Sequence, residues 1–336
     1  MEDLIAAPFY DELVQIDGKP DCIIPAGTNP LRPIMGYACK ALIPFGDKPI
    51  IYHTIKHIHD ANLSNKIFVI SNVSAMEQQL VPYLERDGID NVVLLQEGKP
   101  GDAEQMVKNI VSSFSHITSK WSMYSVCDVP GYDANAIRVI FNDISKAIID
   151  DTNRGRVANI YTTIGDITDY MSHCSNLERK NEPGLILSKY VAVKTGNFNL
   201  LQPNNIYNHT IKRGKEILKF RKFAELRKNP FKFLSIAASF GYQTLDVVLR
   251  GLINFAINDS DLIRSDNKFL NSLAYIFKQP FKNMNILNIS LDKISAAATH
   301  IVGTPVRVVK TIGSADIDND KEFITQLRRY ATLKNE

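Results

Sequence analysis

Lys40 closes a long polar turn. The run Cys22-Ile23-Ile24 reads as a buried strand and Ala41-Leu42-Ile43 as the next apolar run. Between them lies PAGTNPLRPIMGYACK, far more chain than a strand-to-helix link needs. A lone lysine is most often a solvated surface group, so it is the turn that makes Lys40 a candidate. Asp128 ends the apolar run of WSMYSVCDVPGYD. A carboxylate there reaches a strand-end crevice, or serves only as the turn-former that Asp commonly is. Asp316 and Asp318, in GSADIDNDKEF, follow a strand and precede a helix, where the helix dipole stabilises acids whether or not they do chemistry. His53 and His57 stand four apart on a helix, a spacing that can hold a metal, but with no acidic partner beside them. No serine occupies a nucleophile elbow, and KTGNF is no Walker loop, which needs G-x-x-x-x-G-K-[ST].

The elements that must position these groups alternate regularly over the first 150 residues. Cys22–Pro25, Lys66–Ser71, Asn91–Leu95 and Trp121–Val126 read as buried strands. Helical stretches lie near Pro49–Ala61, Ser74–Arg86, Asp102–Phe114 and Ala134–Ile149. The last sets Ile137, Ile140, Phe141, Ile144 and Ile148 on one face behind Asp133 as N-cap. This alternation predicts an α/β fold, a mostly parallel sheet with helices on both faces. Ligands then bind at the carboxyl ends of the strands, where the long turn and CDVPGYD both lie.

The second half is less regular. Val157–Thr163 and Leu185–Val193 read as strands around a polar loop, and VKTGNFNLLQP as a strand-like turn. From His209 to about Gln279 the pattern is helical, and Lys212–Lys232 carries nine basic residues against two acidic. A following helix sets Leu245, Val248, Leu249, Leu252, Ile253 and Ala256 opposite Asp246, Arg250 and Asn254. Ser290 caps Leu291–Ile301, TPVRVVKT reads as a strand and Asp320–Thr332 as a last helix. The chain therefore reads as a single domain, 1–336, with a helical insertion at 208–285.

Composition sets the outer bounds. The 39 basic and 36 acidic residues leave a net charge of +3, too mild to argue for nucleic acid. Cys22, Cys39, Cys127 and Cys174 are too scattered for a zinc knuckle or a disulfide framework. The acidic start MEDLIAAPFYDELVQ lacks the basic-then-apolar signal pattern, and no uncharged run reaches the roughly 18 residues of a membrane span. A cytoplasmic, reducing setting is the expectation. The basic segment 212–232 admits an anionic surface or a lipid-linked ligand, hence peripheral membrane contact; a solvated basic face is the commoner outcome.

In order and spacing these signals resemble the nucleotidyltransferases of the molybdenum-cofactor guanylyltransferase-like type, which include sugar-phosphate nucleotidyltransferases. PAG at Pro25–Gly27 and CKALIPFGDKPIIYHTI at Cys39–Ile55 are similar to that family's opening motif. CDVP resembles its GDxP, KTGNFNLL its acceptor-facing Gly-Asn turn, and ADIDNDKEF its late VDxPED. The second loop glycine and the GTR arginine of the family are replaced by Thr28 and Asn29, with Arg32 nearby as the substitute cation. The resemblance implies a three-layer α/β/α Rossmann-like sheet of the nucleotide-diphospho-sugar transferase type.

It further implies a role for each site. Pro25, Ala26, Gly27, Thr28, Asn29, Arg32, Gly101 and Asp102 would hold a nucleoside triphosphate, and Gly196 and Asn197 would face a phosphorylated small-molecule acceptor. Lys40 and Asp128 would be catalytic, and Asp128 and Asp318, or else Asp316, would hold Mg²⁺ as cofactor. A backbone loop of small residues can bring N–H donors to phosphates, and a lysine at its far end can neutralise charge developing there. A nucleotide-sugar glycosyltransferase and a nucleotide-binding module without turnover are the alternatives. Pyrophosphate release marks the first reading, nucleoside diphosphate release the second.

Overall fold

The computed structural model describes residues 18–29, 33–99, 103–166, 185–188, 191–206, 213, 235, 237–257, 288–313 and 320–335. Five strands of the first part are β1 (Asp21–Pro25), the short pair β2 (Pro44–Phe45) and β3 (Lys48–Pro49), β4 (Ile67–Ser71) and β5 (Val92–Gln96). Then come β6 (Ser122–Ser125), β7 (Ile160–Asp166), β8 (Leu185–Ser188), β9 (Val191–Leu201) and β10 (Val306–Thr311). The main sheet runs β10-β7-β9-β6-β1-β4-β5, and β8 pairs the remaining edge of β9. Pairings of β1 with β4 and β6, of β4 with β5 and of β7 with β10 are parallel, whereas β9 runs against β6, β7 and β8.

Helices cover both faces. They are α1 (Ile50–Ala61), α2 (Val73–Gln79), α3 (Val81–Arg86), α4 (Ala103–Ser113), α5 (Ala134–Asn153), α6 (Tyr242–Ile257), α7 (Leu291–Val302) and α8 (Asp320–Asn335). Neighbours on β10 show the layering, because successive strand side chains point to opposite faces. Val309 belongs to the large core with Ile55 of α1 and Ile144 of α5. Val308 packs instead with Val247 of α6 and Ala297 of α7. Asp133 caps α5 by accepting the Ala136 N–H at 2.7 Å, and Ser290 caps α7 by accepting that of Lys293 at 3.3 Å.

The expected alternation holds, with four local corrections. The helix expected over Ser74–Arg86 is two helices joined at Leu80, because Pro82 has no N–H to give the carbonyl four residues back. The strand expected from Val157 begins at Ile160, and Val157 is exposed. The expected strand Leu185–Val193 is the antiparallel pair β8 and β9. On α6, Thr244, Val247 and Asn254 are buried and Leu249 is exposed, so the buried stripe is rotated from the expected one. The cause is the company α6 keeps: it packs on α7 and β8, and Asp246 bonds Arg250 and Lys293. Most of the expected insertion, including the basic run apart from Arg213, lies outside the described residues. Among the described residues no helix is long and apolar enough to cross a membrane.

Candidate active site

Strand order places the crevice. From β1 the chain adds β4 and then β5 on one side and returns to put β6 on the other, so the order reverses between β1 and β6. The helices that follow them, α1 and α5, pack together on one face, and a strand-order reversal of this kind leaves a crevice between the loops at the carboxyl ends. At the other end, buried Asp21 accepts the N–H groups of Lys66 (3.2 Å), Thr118 (3.0 Å) and Ser119 (3.4 Å), tying three strand starts together. That acid is structural.

The long turn after β1 is compact. Ala26 extends the ladder by donating its N–H to the Ile70 carbonyl at 2.8 Å, and the Asn29 N–H closes a neck on the Ala38 carbonyl at 2.7 Å. Cys39 Sγ donates to the Ala26 carbonyl at 3.5 Å, and burial pushes its thiol up to about 11, so it is an inert prop. Lys40 begins a short 3₁₀ turn, Lys40–Leu42, whose Ala41 and Leu42 are buried in the main core. Its ammonium is thereby turned to the crevice, where Nζ forms an ion pair with Asp128 Oδ2. Asp128 is 2% exposed and the Lys40 side chain 29%, so the pair joins a buried carboxylate to a half-open cation. The two expected catalytic residues, 88 apart in sequence, meet at the switch point.

Glu97 was missed by the sequence reading. It follows β5 as Asp128 follows β6, at the same edge of the sheet, and that shared position is the signal that could have found it. Buried Glu97 accepts the Thr28 N–H at 2.9 Å on one oxygen and the Thr28 hydroxyl at 2.6 Å on the other. Thr28, standing where the family has a second glycine, is thus spent on a carboxylate. Of the N–H groups from Ala26 to Asn29, that of Gly27 is left as the open donor among the described residues.

The expected acceptor turn is a bulge in β9. The register with β7 shifts between Thr162 and Ile164, and Thr163 Oγ1 donates to the Phe198 carbonyl at 2.6 Å. A side chain on Gly196 would place its Cβ 2.0 Å from Thr163 Oγ1, so packing alone demands glycine there. The next residue, buried Asn197, accepts the Val126 N–H at 3.4 Å, two residues before Asp128. Bulges re-aim side chains beside sites, and this one lies at the end of β6. Arg32, Gly101, Asp102, Asp316 and Asp318 lie outside the described residues.

The rings of His53 and His57 are neighbours, with centroids 6.5 Å apart. His53 Nε2 lies 3.0 Å from the Phe45 carbonyl, and its ring packs edge-on against Phe45 and Tyr330. Among the described residues no group of three or more His, Cys, Asp or Glu could hold a metal. A cleft of about 300 Å³ lined by these histidines and Tyr330 includes neither Lys40 nor Asp128. Burial lowers the imidazole pKa of His53 to about 4, against an unfolded value near 6.5. A lowered value means that the folded state resists protonation. The associated stability, on the order of 3 kcal/mol, is complete above pH 6.5 and is lost as pH falls from 6.5 to 4. Urea denaturation at pH 7.5, 5.5 and 4.5 should show that loss, and His53→Gln should flatten it. An equal slope in the variant would assign the effect to other groups.

Residues 23–164, which contain the turn, Lys40, Glu97 and Asp128, match the MobA-like NTP transferase domain. The match is to a nucleotidyltransferase domain and covers less than half of the chain. No curated protein matches the chain. Among solved structures, a hypothetical transferase from Thermus thermophilus is similar at 17% identity and a TM-score of 0.52, covering 91% of this chain and 99% of its own. CMP:2-keto-3-deoxy-manno-octonic acid synthetase complexed with CTP is similar at 9% identity and a TM-score of 0.47, covering 94% and 100%. The likeness to the Thermus thermophilus structure is one of fold, and it reaches well past residue 164.

Proposed function

We propose that the protein is a Mg²⁺-dependent nucleotidyltransferase that joins a nucleotide to a phosphorylated small-molecule acceptor and releases pyrophosphate. The observation that carries this reading is the Lys40–Asp128 pair at the switch point between β1 and β6, inside the matched span. An acceptor phosphate oxygen attacks the α-phosphorus, the bond to the bridging oxygen breaks, and the pair of electrons leaves with pyrophosphate. Such an acceptor is already ionised near neutral pH, so no side chain need take a proton. Lys40 supplies positive charge to the phosphoryl oxygens, held in place by the 3₁₀ turn that buries its neighbours. Gly27 offers its N–H to the phosphates, while Glu97 fixes the loop start through Thr28.

The donors suit Mg²⁺, which takes one or two carboxylates together with phosphate oxygens and water. Asp128 would be one ligand and Asp318 the second, with Asp316 as its understudy. When bound, the ion neutralises triphosphate charge and orients the leaving group. Asn197 and the bulge at Gly196 would face the acceptor, and Arg32, Gly101 and Asp102 would complete the nucleotide site. We place the reaction in the cytoplasm. The basic run at 212–232 would suit an anionic acceptor, a lipid-linked one included.

The test is a thermal-shift screen of the four nucleoside triphosphates with Mg²⁺, followed by pyrophosphate detection over a panel of phosphorylated acceptors. A ligand at a hundred times its Kd adds about 2.7 kcal/mol of stability, enough to move the melting temperature clearly. One triphosphate should stand out and yield pyrophosphate. Nucleoside diphosphate release from a nucleotide-sugar would sink the proposal, and so would tight binding without turnover on every acceptor.

A further inference from the structure

The loop that presents Lys40 is held from outside the sheet by the C-terminal helix. At the tip of that loop Ile34 and Tyr37 exchange backbone hydrogen bonds of 3.2 and 2.8 Å around Met35 and Gly36. Both central residues are left-handed, Met35 at φ 50° and Gly36 at φ 82°. Glycine takes this conformation freely, but methionine does so against steric cost, so something must hold it. The Met35 N–H donates to Asp320 Oδ1 at 2.7 Å, across 285 residues of sequence. Asp320 is the first residue of α8.

Two further contacts continue the grip. Phe323 of α8 is buried in one cluster with Ile34, Ile43, Phe45 and Ile50. Tyr330, two turns on, stacks 5.0 Å from Phe45 and 5.2 Å from His53. Gly46 accommodates it: a Cβ there would lie 2.9 Å from Tyr330 Cε1, at a φ of 72° that itself favours glycine. Lys40 therefore lies between two points, Ile34 and Ile43, that are anchored on the same helix face.

We propose that α8 braces the nucleotide loop and that Asp320 is its positioning residue, fixing the strained turn through the Met35 amide so that Lys40 is held before substrate arrives. The kinetic consequence rests on the nucleotidyltransferase reading; the structural one does not. A braced loop has already met its ordering cost when the triphosphate binds, so loosening it weakens apparent affinity more than it slows the bound complex. Asp320 also follows Asp318 by two residues in sequence.

Three variants test the brace. Asp320→Ala removes the acceptor, Asp320→Asn keeps an Oδ1 at the same reach, and Asp320→Ser keeps a polar helix start but falls short of Met35. Asp320 is exposed, so all three should fold. Hydrogen–deuterium exchange of the Met35–Tyr37 amides should quicken about tenfold in the Ala and Ser variants and stay near wild type in Asn. KM for the triphosphate should rise about tenfold in Ala and Ser, with kcat within about twofold, and return in Asn. Unchanged exchange in Asp320→Ala overturns the brace. Faster exchange in a protein that releases no pyrophosphate at all would instead retire the functional reading and leave the brace standing. Equal behaviour of Asn and Ala would reduce Asp320 to a charge at a helix start.

Discussion

Lys40→Ala should slow pyrophosphate release by roughly a hundredfold to a thousandfold, the usual cost of removing one preorganised charge donor. A smaller loss of stability should accompany it. Asp128 is 2% exposed and ion-paired with Lys40, so truncation leaves a buried carboxylate without that cation. Losing a hydrogen bond to a charged group costs about 1.5–3 kcal/mol. Lys40 is itself part-exposed, which keeps the loss within what a domain of this size survives. The two effects separate in a double-mutant cycle. Asp128→Asn removes the charge that Lys40 offsets, so the double variant should recover stability relative to Lys40→Ala while activity stays lost. Urea denaturation and a pyrophosphate assay on the four proteins decide it. Undiminished turnover in Lys40→Ala would return Lys40 to the class of solvated surface lysines.

Much of this site was legible from chemistry that is local in sequence. Buried parallel strands are continuous apolar runs, so Cys22-Ile23-Ile24 and the run before Asp128 declare themselves, and the crevice follows from where strands end. That Lys40 would meet Asp128 was not local information. It depends on β1 and β6 being neighbours, and sheet order is written in packing over 88 residues rather than in any segment. Glu97 escaped for a related reason: only the pairing of β4 with β5 brings it over the loop to Thr28. Gly196 was read as a family mark, whereas Thr163 on the adjacent strand already forbids a side chain there. The face of α6 was misread because an amphipathic pattern names a stripe but not what the stripe meets. A buried Asn254 is tolerated when its surroundings supply hydrogen bonds.

Asp128→Asn and Asp318→Asn should each abolish Mg²⁺-dependent turnover, and Asp316→Asn should be milder. Asp128 follows the switch-point strand and is paired with the Lys40 ammonium. Asp318 lies 190 residues on, between β10 and α8 in sequence. In the family-like pattern the late ligand is the aspartate two residues before the proline of VDxPED, and in ADIDND that aspartate is Asp318, with Asp320 in the proline's place. Asp320 accepts the Met35 N–H, and the late acids expected on the metal are Asp318 and Asp316. Two carboxylates brought close without a cation repel each other, so a divalent ion that both bind relieves that cost and gains affinity. Loss of either should therefore weaken the ion and remove several kcal/mol of charge stabilisation, a rate loss of about a thousandfold or more. Mg²⁺ titrations followed by both rate and thermal shift separate affinity from turnover in all three variants. If Asp316→Asn loses metal affinity and rate while Asp318→Asn keeps both, the register is off by two residues. If neither late variant changes them, the late acids serve only the start of α8, and Asp128 acts without a second protein ligand from that segment.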